Sequence, residues 1–350
     1  MLLTKKLNPL RKKIIYSIAA FLLIGGIIGF NYYQKIFGKA ITKDTLLFIN
    51  SKDRLEDVKN KIAEFSNNTE TFLWVAAKKS FSKPKPGRYV LKEGMSNNYL
   101  INMLRSGRQT PLKVSFNNQD TLEKLAGRIA QQIEADSISL IDTFREQSFL
   151  SKNDFTAKSV LGMFIPDSYE FYWTVSPEEF RTKILASYKR FWNKSRLEKT
   201  KKLNLSVAEV ITLASIVHKE TAQQTERPIV AGLYLNRLKK GWPLQADPTI
   251  IYCVKEIKGQ AYHVKRVLTA DLAIKSPYNT YKNKGLPPTL IAMPDISAID
   301  GVLNAQKHKY FYMCANVDKI GYHSFAKSLT QHNKNAAKYH QWINKQRINR

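Results

Sequence analysis

The sequence predicts an α+β protein with an N-terminal transmembrane helix, then a small unit and a larger unit of mixed helices and strands. An uncharged run of twenty residues, Ile14 to Tyr33, predicts the membrane helix. Strand-like and helix-like patterns alternate between residues 45 and 110 and predict the small unit. A capped helix that starts at Ser206, among further helical and strand patterns, predicts the larger one. With 43% hydrophobic residues in 350, the chain can bury more than one core.

The uncharged run is long enough to cross a membrane. Twenty residues at about 1.5 Å each span roughly 30 Å, the thickness of the hydrocarbon core of a bilayer. A cleaved signal peptide is the alternative, but the run is long for one and no small-x-small site follows it. We therefore expect a retained single-pass anchor at 14–33. The basic residues before it predict that residues 1–13 are a cytoplasmic tail; they are Lys5, Lys6, Arg11, Lys12 and Lys13.

This anchor predicts the cytoplasmic (inner) membrane as the location, with the rest of the chain on the extracytoplasmic or periplasmic side. The formal charge of +28 indicates an anionic partner. An exported chain does not meet nucleic acid, so we expect membrane headgroups or cell-wall polymer instead. A solvated basic surface explains most of the lysines taken singly. Cys253 and Cys314 are the only cysteines; they leave one disulfide open and are too few for a zinc site.

Residues 40–110 predict a small domain of two strands and two helices. Thr45–Ile49 and Arg88–Leu91 have the composition of strands, and Asp53–Phe65 carries apolar residues at helical spacing. A second helix should end at Gly107, a favoured residue after a helix terminus. These elements are compatible with a LysM-like glycan-binding domain, although their order does not decide it.

Residues 111–345 predict a second, mixed α/β domain. Gly162–Tyr172 is an aromatic loop or a short strand. The other early elements are a strand at Leu112–Phe116 and helices at Thr121–Ile133, Ile138–Gln147 and Ser176–Trp192. A further helix should run from about Pro228 to Lys240, in which Asn236 and Arg237 are equally compatible with an inward or an exposed position.

One carboxylate in this domain stands out. Ser206 and Glu209 form a capping box, and an apolar stripe follows them along a helix. Glu220 comes about four turns later, where the apolar pattern gives way to polar residues. A carboxylate that is half-buried at a helix end keeps its proton near neutral pH, because burial raises its pKa. An ordinary solvated glutamate is the alternative at this position.

Two short polar segments could form a groove beside this acid. Leu244–Thr249 and Tyr278–Tyr281 are rich in turn-forming residues and carry amide, hydroxyl and aromatic groups suited to a sugar chain. A single acid beside such a groove is what protonation of a glycosidic oxygen requires.

At this point the motifs carry a family resemblance. The chain resembles the MltG (YceG-like) endolytic murein lytic transglycosylases, over roughly residues 85–340 and in the order of that family. The matching motifs are PDSYEF at 166–171, ASIVHKET at 214–221, NRL at 236–238, LQADPTIIY at 244–252, SPYNTY at 276–281, GLPPTLIAMP at 285–294, YHSF at 322–325 and HN at 332–333.

The resemblance implies that Glu220, directly before Thr221, is the catalytic acid of a YceG-like catalytic domain at 111–345. Many members carry a second glutamate where this chain has His218. The implied reaction cuts nascent peptidoglycan strands between N-acetylmuramic acid and N-acetylglucosamine. The C6 hydroxyl of the muramoyl sugar attacks its own anomeric carbon and leaves a 1,6-anhydro end. No water needs activation, so one glutamate can serve as acid and then as base.

Substrate contacts are expected from residues around these motifs. Gln245 and Asn279 suit acetamido and hydroxyl groups. Three tyrosines can stack on sugar faces, orient the acid or merely pack; they are Tyr252, Tyr278 and Tyr281. Asp247 either fixes a turn before Pro248 or stabilises positive charge at the anomeric carbon. The full set of substrate-binding candidates is Gln245, Asp247, Thr249, Tyr252, Tyr278, Asn279, Tyr281, His323, His332 and Asn333. We expect no cofactor and no metal, because the spacing of the histidines matches no zinc pattern.

Two other functions remain open at the level of sequence. A non-catalytic peptidoglycan-binding scaffold would keep the groove and dispense with the acid. A hydrolytic muramidase would use Glu220 together with Asp247 as its second carboxylate. The expected partners are peptidoglycan strands and the membrane, and peptidoglycan synthases are conceivable ones.

Overall fold

The structure is a computed structural model that describes residues 8–345, and its internal contacts divide it into two compact units. The small unit runs up to Lys113 and also includes Glu170–Val175. The large unit comprises Val114–Tyr169 and the chain from Ser176 onward. Both units contain helices and strands, so the predicted mixture of secondary structure is confirmed. The first seven residues of the predicted cytoplasmic tail lie outside the described residues.

Helix α1, Pro9–Phe37, contains the uncharged run. The Asn8 side chain caps its first turn by accepting a hydrogen bond from the Leu10 amide at 3.3 Å. None of its residues is buried, and the apolar side chains from Leu10 to Tyr33 that the structure records as exposed leave a surface that lipid could surround. Within residues 8–345 it is the one helix long and apolar enough to cross a membrane. The prediction of an N-terminal helix that could span a membrane is thus confirmed, and its topology stays a prediction.

The small unit packs helices against one two-stranded antiparallel sheet. Its elements are β1 (Thr45–Ile49), α2 (Leu55–Ile62), α3 (Thr69–Lys78), β2 (Gly87–Leu91) and α4 (Asn97–Ser106). Thr45 lies opposite Leu91 in the sheet. The prediction of two helices was wrong, since α3 is a third one: the Asn68 side chain caps it, and Phe72 and Val75 bury its inner face. The likeness of this unit to LysM domains stays a prediction.

The first part of the large unit, up to residue 203, contains five α-helices and parts of two strands. Its helices are α5 (Leu122–Ala130), α6 (Ser137–Phe144), α7 (Gln147–Lys152), α8 (Pro177–Phe191) and α9 (Lys194–Leu203). It also holds the second part of β3 (Leu112–Phe116) and the first part of β4 (Asp167–Phe171). Strands β3 and β4 pair. The single helix predicted over 138–147 was wrong, because α6 ends at Phe144 and α7 begins three residues later.

The second part supplies the helices and strands around the site. They are α10 (Val207–Glu220), α11 (Arg227–Lys239), α12 (Asp247–Lys258), α13 (Ile296–Leu303), β5 (Tyr312–Ala315), β6 (His323–Ala326) and α14 (Leu329–Lys345). Strands β5 and β6 are antiparallel, with Ala315 opposite His323. The turn-rich conformation predicted for 244–249 was wrong in its second half: Asp247 is the first residue of α12, because Pro248 suits the first helical turn.

Helix α10 forms the centre of the large unit. Its capping box is confirmed: the Glu209 amide donates to the Ser206 hydroxyl at 3.2 Å, and the Ser206 amide donates to the Glu209 carboxylate at 2.8 Å. Every residue from Val210 to Val217 is buried, and the helix packs against α11, α12 and α13. The core therefore fixes the direction of α10 and the place where its last residue, Glu220, lies.

Gly232 allows α11 to approach a neighbouring segment. A Cβ atom at this position would lie 2.3 Å from the carbonyl oxygen of Gln306, which is a backbone atom. The amide of Gln306 is itself held by the carbonyl of Pro228 at 2.9 Å, so the segment cannot easily move away. By contrast, a Cβ at Gly127 in α5 would meet nothing within 4 Å.

We predict that Gly232→Ala destabilises the protein by about 1–3 kcal/mol, because the added methyl group overpacks this contact. Gly127→Ala is the matched control and should stabilise by about 0.5–1 kcal/mol, since alanine favours an open helical site. Thermal unfolding of the full chain in detergent measures both changes. An unfolding temperature of Gly232→Ala at or above that of the unmodified protein would refute the close approach.

Candidate active site

A cavity of about 230 Å³ in the large unit contains the end of α10. Helix α11, the start of α12 and the strands β5 and β6 supply its other walls. Its lining residues are Glu220, Leu233, Tyr234, Arg237, Leu244, Gln245, Asp247, Tyr281, Met313, Cys314, Ala315 and His323. Five of the residues that the sequence predicted for the site meet here: Glu220, Gln245, Asp247, Tyr281 and His323.

Glu220 is half-buried, and the Tyr234 hydroxyl on α11 donates a hydrogen bond to its Oε1. Burial raises the pKa of this carboxyl to about 7, although the hydrogen bond from Tyr234 and the positive charge of His323 act in the opposite direction. A helix C-terminus also disfavours a negative charge. Close to neutral pH, the carboxyl therefore both gives up and takes back a proton readily.

The charged groups around Glu220 partly balance each other. The negative charge of Asp247 raises the pKa of Glu220, and the positive charge of Arg237 lowers it. Arg237 is buried and donates to three backbone carbonyls, those of Leu244 at 2.6 Å, Phe311 at 2.7 Å and Pro243 at 3.4 Å. These carbonyls fix the guanidinium, and no carboxylate among residues 8–345 lies within ion-pair distance of it. Arg237 lines the cavity, so its charge acts on Glu220 there.

The segment before α12 presents its polar groups to the cavity. Gln245 has a left-handed backbone, with φ 51°, and its side-chain oxygen accepts from Arg237 at 3.3 Å. Asp247 accepts a hydrogen bond of 2.5 Å from the Tyr281 hydroxyl. Both Gln245 and Asp247 are exposed, so a ligand in the cavity can reach them.

Three other predicted residues are buried behind this lining. The Thr249 hydroxyl donates to the Ala246 carbonyl at 2.7 Å, and the Tyr278 hydroxyl bonds to Thr289 at 2.7 Å. Asn279 accepts from the Tyr281 amide at 2.9 Å and so orients that residue. Because their polar groups are used within the protein, these side chains support the cavity and do not line it.

The last three predicted residues also lie off the cavity. Tyr252 packs against Tyr278 with ring centroids 4.6 Å apart. On α14, His332 stacks against Tyr312 at 5.4 Å, and Asn333 is exposed. The structure therefore does not bring them to Glu220.

Sequence reasoning missed Tyr234 and Glu226 and left Arg237 undecided. Tyr234 and Arg237 are three residues apart on α11 and share one face of it, a spacing that the sequence does contain. Glu226, directly before α11, is 2% exposed and accepts hydrogen bonds from His323. No pattern along the chain links it to His323, since 97 residues separate them.

Other features of the large unit do not resemble a second catalytic centre. A larger cavity, about 430 Å³, lies at the opposite end of α10, and its only carboxylate, Asp154, is exposed. Cys253 and Cys314 are free thiols, so the disulfide that the sequence left open is not formed. Within residues 8–345, no cluster of three His, Cys, Asp or Glu residues is arranged to hold a metal ion.

Comparison with known proteins defines the class. The model of the YceG-like family matches residues 47–338, and the chain belongs to this family. A crystal structure at 2.6 Å of a putative YceG-like protein from Listeria monocytogenes is similar in fold, with a TM-score of 0.57 and 27% sequence identity. The match covers 83% of this chain and 98% of the Listeria chain.

Two relatives have functional names. The endolytic murein transglycosylase of Bacillus subtilis strain 168 is 28% identical over 339 residues, which cover 91% of each chain. The endolytic murein transglycosylase of Streptococcus pneumoniae D39 is 28% identical over 296 residues, 77% of this chain and 53% of the pneumococcal protein.

The raised pKa of Glu220 predicts a pH-dependent effect of Glu220→Gln on stability. Because the folded state holds this proton more tightly than an unfolded glutamate does, its contribution is present below pH 4.5 and is lost as the pH rises through about 7. Glutamine cannot ionise. The variant should therefore exceed the unmodified protein in unfolding free energy by about 1–3 kcal/mol at pH 8 and match it at pH 4.5.

Denaturant unfolding at both pH values measures this difference. Glu198→Gln, at an exposed position on α9, is the matched control and should show no comparable dependence on pH. A difference between Glu220→Gln and the unmodified protein that is the same at pH 4.5 and pH 8 would contradict a buried, proton-retaining carboxyl.

Proposed function

We propose that this protein is an endolytic peptidoglycan lytic transglycosylase, which cleaves the bond between N-acetylmuramic acid and N-acetylglucosamine and leaves 1,6-anhydro ends. The observation that carries the proposal is the half-buried Glu220, whose pKa is about 7, in a cavity of polar groups. The names of the relatives from B. subtilis and S. pneumoniae support the same reaction. The proposed substrate is the glycan strand of peptidoglycan.

In the first step, protonated Glu220 donates its proton to the glycosidic oxygen as the bond to the anomeric carbon breaks. The C6 hydroxyl oxygen of the same muramoyl sugar forms the new bond to that carbon. Glu220, now a carboxylate, takes the proton that this hydroxyl releases. The carboxyl ends as it began, and no water enters the product. A single group whose pKa lies near the working pH suits both transfers.

Neighbouring groups have complementary roles in this proposal. The carboxylate of Asp247 stabilises positive charge that develops at the anomeric carbon, and Tyr281 holds that carboxylate in place. Gln245, fixed by Arg237, offers an amide to acetamido or hydroxyl groups of the sugars. The Tyr234 hydrogen bond keeps Oε1 of Glu220 in one orientation.

A hydrolytic muramidase is the second candidate, because Asp247 and Glu220 line the same cavity. A pair of carboxylates can activate water in place of an internal hydroxyl. The two reactions differ in the end that they leave on the muramoyl sugar. A hydrolase introduces oxygen from water there, and a lytic transglycosylase does not.

We also propose the setting of the reaction. Helix α1 anchors the chain as a single-pass helix in the cytoplasmic membrane, and both units lie on the extracytoplasmic side. The small unit, as a LysM-like domain, binds glycan. An anchored enzyme of this kind acts on nascent strands as they emerge near the membrane, where peptidoglycan synthases work.

The first test is Glu220→Gln. The amide keeps the shape of the carboxyl and cannot give a proton, so release of fragments from purified glycan strands should fall by at least about 100-fold. The control Glu198→Gln should cleave like the unmodified protein. Circular dichroism establishes that both variants are folded. Normal turnover by a folded Glu220→Gln protein would overturn the assignment of the acid.

The second test uses water enriched in heavy oxygen. Mass spectrometry of the products should find no label at the new muramoyl end, because the internal hydroxyl supplies the oxygen. Asp247→Asn should slow cleavage by roughly 10- to 100-fold, because it loses charge stabilisation and a charge that raises the pKa of Glu220. It should leave the product unchanged, since the internal hydroxyl is still the nucleophile. Labelled reducing ends, with almost all turnover lost in Asp247→Asn, would instead identify a muramidase.

A further inference from the structure

Glu226 does not line the cavity, yet its carboxylate makes two contacts with a residue that does, His323. Glu226 is 2% exposed, directly before α11. Its Oε1 accepts a hydrogen bond of 2.6 Å from the backbone amide of His323, and its Oε2 lies 2.9 Å from Nδ1 of the same residue. Thr221, which follows Glu220 in the chain, also hydrogen-bonds to it. One buried carboxylate thus connects the end of α10 to the first residue of β6.

This contact fixes the imidazole of His323. A carboxylate only accepts hydrogen bonds, so Nδ1 must carry a hydrogen and donate it. The backbone bond from the same residue prevents the ring from swinging away. No group among residues 8–345 forms a hydrogen bond with Nε2, and the ring lines the cavity that holds Glu220. The second nitrogen of the ring, Nε2, is therefore available to carry a proton, which makes the ring positively charged.

The charges around His323 favour the imidazolium. Burial opposes a charge on the ring, but the hydrogen bond and negative charge of Glu226, together with Glu220, raise the pKa of His323. The other charged groups of the cavity are Asp247 from α12, which is negative, and Arg237 from α11, which is positive. Of the two carboxylates that raise the pKa of His323, Glu220 ends α10 and Glu226 directly precedes α11, so the ring connects them electrostatically.

We infer that Glu226 is a positioning residue that holds His323 as an imidazolium facing Glu220, and that this charge stabilises the carboxylate that Glu220 becomes during catalysis. The inference rests on the proposed function for its catalytic part. His323 exchanges no proton in the cycle: the proton passes from Glu220 to the leaving oxygen and returns to Glu220 from the C6 hydroxyl. The contribution of His323 is a fixed positive charge.

The first measurement needs no activity. Hydrogen–deuterium exchange at the C2 atom of each imidazole, followed by mass spectrometry of the full chain in detergent, gives the pKa of His323 directly. We expect that pKa to exceed 6.5, the ordinary value. Glu226→Gln should lower it by about one unit or more, because the ring stays half-buried and loses its anionic partner. Exchange at the exposed His263 should be the same in both proteins.

The second measurement is the pH profile of cleavage. Without the imidazolium, the pKa of Glu220 rises, so the alkaline limb of the kcat/KM profile should move to higher pH. The plateau of kcat should fall by about 10-fold, because a weaker acid protonates the leaving oxygen less readily, and KM should change little. His323→Gln, which leaves Glu226 in place, should shift kcat and the alkaline limb in the same direction. If Glu226→Gln fails to fold, the His323→Gln variant still tests the role of the imidazolium.

Asp300→Asn is the matched control. It removes a carboxylate that pairs with Arg196 at 3.1 Å in the same unit and lies off the cavity. It should affect stability and leave both the His323 titration and the pH profile unchanged.

The outcomes separate the two proposals. The inference fails if His323 titrates at or below 6.5, if Glu226→Gln leaves that titration unchanged, or if kcat and the alkaline limb stay as they were. The absence of any anhydro product from the unmodified protein would refute the proposed function, and the titration of His323 would still report on the role of Glu226.

Discussion

The burial of one carboxyl group at the end of a core helix is the constraint on which the rest of the site depends. Residues 210–217 of α10 are all buried, so the helix cannot rotate to release Glu220 into solvent. Removing a carboxylate from water is costly, and the proton stays on at higher pH as a result. Tyr234 on α11 donates a hydrogen bond to this carboxyl. The acid is thus a consequence of how two helices pack.

The surrounding charges adjust the pKa of Glu220, but burial is the main reason that it is raised. Burial alone moves the pKa of Glu220 upward, and Asp247 adds to that. Tyr234, His323 and Arg237 oppose the rise, and the balance lies at about 7. A carboxyl that was fully protonated at neutral pH would be a poor base, and a fully ionised one could not be an acid. An intermediate pKa suits a reaction in which one carboxyl acts first as acid and then as base.

The sequence predicts the parts of this site that are local in the chain. The capping box at Ser206, the apolar stripe of α10 and the polar residues at its end follow patterns within about fifteen residues, and they put Glu220 at the end of a buried helix. Its role as the acid is implied by the family resemblance. The supports for that acid come from tertiary packing. Tyr234 reaches it only because α11 folds back on α10, and no periodicity reveals that meeting. Likewise, Asn279 looks like a sugar ligand in sequence, and burial against the carbonyls of Leu272 and Ile274 makes it a structural residue.

A titration of the Glu220 carboxyl itself tests the buried acid most directly. Infrared difference spectra between the unmodified protein and Glu220→Gln isolate the stretching band of one protonated carboxyl as the pH increases. This band should be present at pH 5 and disappear with a midpoint near 7. A midpoint near 4.5, the ordinary value for glutamate, or the absence of a distinct band would contradict the central claim that packing keeps this acid protonated.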